Sequence, residues 1–145
     1  MASTYSSTLN LELQASGENS GTWGTITNNN FTKMESATKG YVSVAIASTT
    51  DSLTATDGTT ADEQSNAIIK LTGTLTGNTT VQCEAVENWY IVDNAASMST
   101  YTLGFKPAGG TATNLVAGSK HIVYSDGSTM FDVLLMQVIS KLMVH

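Results

Sequence analysis

Apolar and polar residues alternate along this chain in short runs. In "TLNLELQ", Leu9, Leu11 and Leu13 fall on one side and Asn10 and Glu12 on the other. Period two places successive side chains on opposite faces of a strand. Val42, Val44 and Ile46 repeat the pattern in "YVSVAIA". Further strands are predicted at 51–56, 67–75, 79–85, 88–94 and 99–107, bounded by Gly, Asn, Asp and the lone proline, which mark turns. "KHIVYSDGSTMFDVLL", residues 120–135, reads as a hairpin on a two-residue Asp126–Gly127 turn, with Phe131, Val133 and Leu135 facing the core.

One stretch breaks the alternation. In 22–39 the larger apolar residues Trp23, Ile26 and Met34, followed by Ala37, recur at helical spacing, and Gly40 follows as a stop. The spacing predicts a helix with Trp23, Ile26 and Met34 buried and Asn28–Asn30 mainly on its polar side. Thr60 and Glu63 have the separation of a capping box, which predicts a short helix over 61–67.

About nine short strands with few helices define the expected class: mainly β, an antiparallel β-sandwich or jelly-roll-like barrel with one or two short helices near the N-terminus. The expected division is an arm and first strand at 1–16, a β-sandwich domain at 17–135 and an apolar tail at 136–145. The arm, poor in core residues, is expected to contact a neighbouring subunit by strand addition.

Charge narrows the function. Net charge is −6 and pI ≈ 4.6. The basic residues are Lys33, Lys39, Lys70, Lys106, Lys120 and Lys141, scattered and without an arginine. A nucleic-acid surface needs clustered cations, so that class is set aside. Only 12% of residues are charged, against roughly 25% in average domains, and Thr and Ser fill the gap. No apolar run reaches the roughly 18 residues of a membrane span, and the first ten residues do not form a signal peptide, so the chain is expected to be made in the cytoplasm without membrane association. Cys83, the one cysteine, cannot form an intrachain disulfide.

The motifs of chemistry do not assemble. His121 and His145 are the histidines, and no Cys/His cluster of zinc spacing exists. Asp51, Asp57, Asp62 and Glu63 lack the alternate-residue spacing of a calcium loop. There is no Gly-x-Ser-x-Gly elbow for a serine nucleophile, and His121 lies mid-strand. Glu84 and Glu87 make an unspecific carboxylate pair. The expectation is no enzyme, no cofactor and no metal.

Residues 7–47, "STLNLELQASGENSGTWGTITNNNFTKMESATKGYVSVAIA", resemble a module of tailed-phage virion proteins, especially those of marine and cyanobacterial phages. The resemblance continues through "LTATDGTTADEQSNAIIKLTGTLTGNTTV", "NWYIVDN" and "HIVYSDGS", to about residue 129. It implies a virion structural protein: capsid decoration (cement), or a short fibre or fibre adaptor. The partners implied are further copies in a dimer or trimer, and a major capsid or tail protein. Members of that family continue past the hairpin into a polar fibre segment, whereas this chain turns to "TMFDVLLMQVISKLMVH"; that favours a small protein clamped to a larger assembly. The expected packing or interface residues are Trp23, Ile26, Met34, Met136, Val138, Ile139, Leu142 and Met143. A different reading is a carbohydrate-binding sandwich for a host glycan, with Trp89, Tyr90 and Tyr101 as stacking faces.

Overall fold

The chain passes back and forth between two sheets, strand by strand. The computed structural model describes residues 3–58, 62–133 and 141–144. A two-residue hairpin comes first, β1 (Thr4–Tyr5) on β2 (Glu12–Leu13), followed by the helix α1 (Trp23–Lys39). Then come β3 (Tyr41–Ala45), β4 (Thr50–Ser52), β5 (Ile68–Thr72), β6 (Thr79–Cys83), β7 (Glu87–Asn94), β8 (Leu103–Pro107), β9 (Thr113–Asn114), β10 (Lys120–Asp126) and β11 (Met130–Asp132). One sheet has the order β11-β10-β7-β5-β3 and the other β4-β6-β8-β9.

This order corrects the expectation of antiparallel neighbours. β3 pairs in parallel with β5 and β5 with β7; β4 pairs in parallel with β6 and β6 with β8. From β3 to β8 each strand is followed by one in the opposite sheet, so the chain returns running in its former direction, as in a coil. Antiparallel pairing remains for β1–β2, β7–β10, β10–β11 and β8–β9. Alternation in a sequence reports which face a side chain takes and not the direction of its neighbour, so it could not separate the two cases.

Inward residues of both sheets form one core. Val44, Ile69, Leu71, Val92 and Val123 meet Val81, Cys83, Leu103 and Phe105, with Leu53, Leu75, Leu115 and Met130 completing the cluster. The rings of Tyr90 and Phe105 meet edge to face across the two sheets at 5.6 Å. Asn94, fully buried, donates to the Leu115 and Val116 carbonyls and accepts from the Ala96 N–H. Its side chain thereby satisfies backbone groups that the loops leave inside.

The hairpin parity is opposite to that expected. Met130 and Asp132 point inward, Phe131 is half-buried and Val133 exposed. The Asp126 N–H donates to the Thr129 carbonyl, so Gly127–Ser128 is the turn pair instead of Asp126–Gly127. Gly127 has φ 92° at the first central position, where a type II′ turn favours glycine. Asp132 faces inward because His121 meets it there.

The helix α1 has nearly the predicted bounds but the opposite orientation. Trp23 is 64% exposed, and Phe31 and Met34 are also exposed. Of the predicted apolar stripe, Ile26 and Ala37 are half-buried. The inward face is polar: Asn29, Asn30, Lys33 and Ser36 share it with Ile26 and Ala37. Lys33 is 1% exposed; its Nζ donates to the Thr56 carbonyl at 2.6 Å and lies 3.8 Å from Asp62. Asn30 accepts from the Glu12 N–H and donates to the Glu12 carbonyl, each at 2.9 Å, as a neighbouring strand would. Within the asparagine run, Asn30 thus docks the arm, while Asn29 donates to the Gly58 carbonyl and Asn28 is exposed. Gly40 ends the helix at φ −66°, so it is not needed for a left-handed cap; a β-carbon there would strike Asn66 and the Ser36 carbonyl.

The arm is tied to the body of its own chain. Besides the Asn30 clamp, Asn10 accepts from the Gly58 N–H through its carbonyl and donates to Glu84. In place of the predicted strand over the leucine run, only Glu12–Leu13 is strand, and Leu13 is exposed. Residues 62–67 are turns and bends in place of a helix, while 59–61 lie outside the described residues. A second stretch of helical backbone lies at 141–143, at the C-terminal end instead of the N-terminal one. Met136, Val138 and Ile139 lie outside the described residues; Leu142 and Met143 are exposed.

Candidate functional site

The chemistry-bearing side chains are already engaged in holding the fold. His121 is buried; its Nε2 accepts from the Val116 N–H at 3.0 Å, which leaves Nδ1 to donate to Asp132. An imidazole acting as a general base needs a free nitrogen facing substrate. Here both nitrogens are bonded within the chain. Burial pushes the Cys83 thiol up to about 11, so it is protonated and unreactive near neutrality. Burial likewise raises the Tyr90 phenol far above its ordinary range.

The carboxylates are similarly occupied. Glu84 accepts from Asn10 at 3.0 Å and from Gln64 at 2.9 Å, and its N–H donates to Gln64. Asp62 accepts from the Thr56 N–H and from Ser65, while Glu63 accepts from the Thr54 N–H. Asp51 accepts from the Ala47 N–H. These acidic residues tie the 47–66 loops to themselves, each filling a backbone donor that no strand takes. Among the described residues no group of three metal-ligating side chains occurs, and no helix is long and apolar enough to cross a membrane.

What stands open is the outer face of the five-stranded sheet. Strand register aligns its outward side chains in rows. Trp89 on β7 lies opposite Tyr124 on β10, and Tyr124 lies opposite Phe131 on β11. The Tyr124 and Phe131 rings stack at 5.0 Å. Trp89 is 50% and Tyr124 43% exposed. The next row crosses four of the five strands: Ile122, Ile91, Ile68 and Tyr41, from β10 through β7 and β5 to β3. Ile122 and Tyr41 are exposed and the two between are half-covered. Beyond them lies a polar row, Lys120, Asp93, Lys70 and Ser43, with Lys120 3.4 Å from Asp93.

A second apolar surface lies on α1. Phe31, Met34 and Thr38 follow one another along its outward side and, with Thr32, Glu35 and Lys39, line a shallow groove. Soluble monomers rarely expose a contiguous apolar patch beyond a few hundred Å², and larger ones mark interaction sites.

The expected residues therefore separate. Trp23 and Met34, expected in the core, lie on the open helix face, because Lys33 and Asn30 fill the inward side. Tyr90 is 1% exposed and cannot offer a stacking face. Tyr101 is partly exposed on the segment leading into β8, in the other sheet from Trp89. Trp89 is exposed beside Tyr124 and Phe131, which sequence reasoning did not connect to it. For Tyr124 a signal was present, since it lies one step from the apolar Val123 in an alternating strand; for Phe131 it was not, because its alternation with Val133 pointed it inward. No protein-family model, curated protein or solved structure matched the chain.

Proposed function

We propose that this protein is a non-enzymatic structural subunit of a tailed-phage virion, a capsid-decorating or fibre-adapting β-sandwich that works by association with copies of itself and with the particle. The observation that carries the reading is the aromatic and aliphatic outer face built from Trp89, Tyr124, Phe131, Ile122 and Tyr41. The order of motifs shared with phage virion modules supplies the setting. Burying such a face supplies the energy of assembly; apolar area removed from water is worth about 25 cal/mol per Å² before the costs of association. The engaged state of His121, Cys83 and Glu84 favours structure over catalysis. The glycan-binding alternative loses Tyr90 to the core, and Tyr101 lies on the segment that leads into the other sheet, away from Trp89.

The test is a Trp89→Ser/Tyr124→Ser double variant. Both side chains are about half exposed, so the fold should survive, with a loss of up to about 1.5 kcal/mol for the Tyr124–Phe131 stack, and a thermal melt checks that the variant is folded. Particles produced with the variant in place of the parent should lack it. Incorporation at the parent's level would overturn the reading.

A further inference from the structure

We propose that β3 is a self-pairing edge: two copies of this chain join through antiparallel β3–β3 pairing about a two-fold axis at Ser43, making one ten-stranded sheet. This names the interface of the assembly reading and rests on it. The Ile68 N–H donates to the Gly40 carbonyl, and the Ile46 N–H donates to the Thr72 carbonyl. In a parallel ladder alternate residues face the neighbour, so Gly40, Val42, Val44 and Ile46 turn their N–H and C=O groups toward β5. Tyr41, Ser43 and Ala45 turn theirs away. Among the described residues β3 has no strand on that side, since it closes the sheet order.

An open edge is normally protected by a charge, a proline, a bulge or shortness. The other edges have such protection. β4 has three residues and carries Asp51, β9 has two residues, and β11 has three with Asp132. β3 has five residues, Tyr-Val-Ser-Val-Ala, and none of those devices. Ser43 and Ala45 are exposed. Unpaired backbone polar groups of this kind template a further strand.

The composition of the edge favours a second copy as that strand. Two-fold pairing about Ser43 sets Tyr41 against Ala45 of the other copy, large against small, on the outer face. It sets Val42 against Val44 on the inner face, where β-branched pairs pack well. No charge opposes its own image across the axis. The interface is isologous, so each edge is consumed and growth stops at two copies. The isoleucine row that ends at Tyr41 then continues into the partner sheet.

Ser43→Pro removes an outward N–H without touching the β5 ladder, and edge positions tolerate proline. Ser43→Lys places like charges opposite each other. The intact chain should sediment as a dimer, and both variants should keep its thermal melt and weaken association, Ser43→Pro by about thirtyfold or more, as two lost cross-strand bonds imply, and Ser43→Lys by like-charge repulsion. In a Ser43→Cys chain the facing Cα atoms lie about 5.5 Å apart, within disulfide range, so mild oxidation should give a covalent dimer. If the intact chain and both variants sediment alike as dimers and Ser43→Cys does not cross-link, the β3 pairing is overturned. The assembly reading is judged separately, by whether the Trp89→Ser/Tyr124→Ser variant enters particles. A monomeric intact chain overturns the β3 pairing, and particle incorporation then decides the assembly reading alone.

Discussion

At the scale of single residues, Lys33 and Trp23 exchange the roles their chemistry suggests. Trp23→Ala removes a largely solvated ring, so the loss of folding stability should stay within about 0.5 kcal/mol. Lys33→Ala removes the cation from the Thr56 carbonyl and from Asp62 in a buried place. Breaking a buried charge pair by deleting one partner costs roughly 3–5 kcal/mol, and Lys33→Ala should fall in that range. Denaturant melts of the two variants decide it; a larger loss for Trp23→Ala than for Lys33→Ala would contradict the inverted helix. The helix itself was legible from Trp23 spacing and Gly40. Its facing was not, because amphipathic reasoning assigns the apolar stripe to the core. Here the inward side meets the backbone of a loop and an arm, and backbone groups call for amides and an ammonium.

At the scale of elements, the β10–β11 hairpin depends on one carboxylate. Asp126 accepts from the Ser128 N–H at 2.9 Å and the Thr129 N–H at 2.7 Å, and these bonds hold its carboxyl below the ordinary value of 3.8. A lowered folded value means the ionised side chain stabilises the turn. That contribution is fully present above the unfolded value and is lost as pH falls through the folded one. An NMR titration should find Asp126 ionising below 3.8, and Asp126→Ala should remove the acid-dependent part of hairpin stability. A midpoint at or above the ordinary carboxylate value would refute this. The strand positions were largely readable from alternation, as Val42/Val44 and Tyr90/Val92 illustrate. The turn was read one residue early, and the hairpin's inward face followed the apolar residues Phe131 and Val133. The His121–Asp132 pairing that fixes the observed face joins polar residues from two strands, and no periodicity marks it.

At the scale of the whole molecule, the parallel coils of β3–β8 leave two consequences. Sheets of parallel strands usually have both faces covered. This one presents Trp89, Tyr124, Ile122 and Tyr41 on its outer face, with the unprotected β3 edge beside them. Neither the row nor the edge could be read from sequence, since each depends on which strands are neighbours and in what direction. Alternation supplied the outward positions; only the register aligned them. The proposal is that this outer sheet face is an assembly surface of a virion subunit. A cryo-electron microscopy map of the assembled particle tests it most directly. Density for this chain is expected, with Trp89, Tyr124 and Ile122 covered by a neighbouring subunit. Particles that lack the chain, or that carry it with this face turned to solvent, would contradict it.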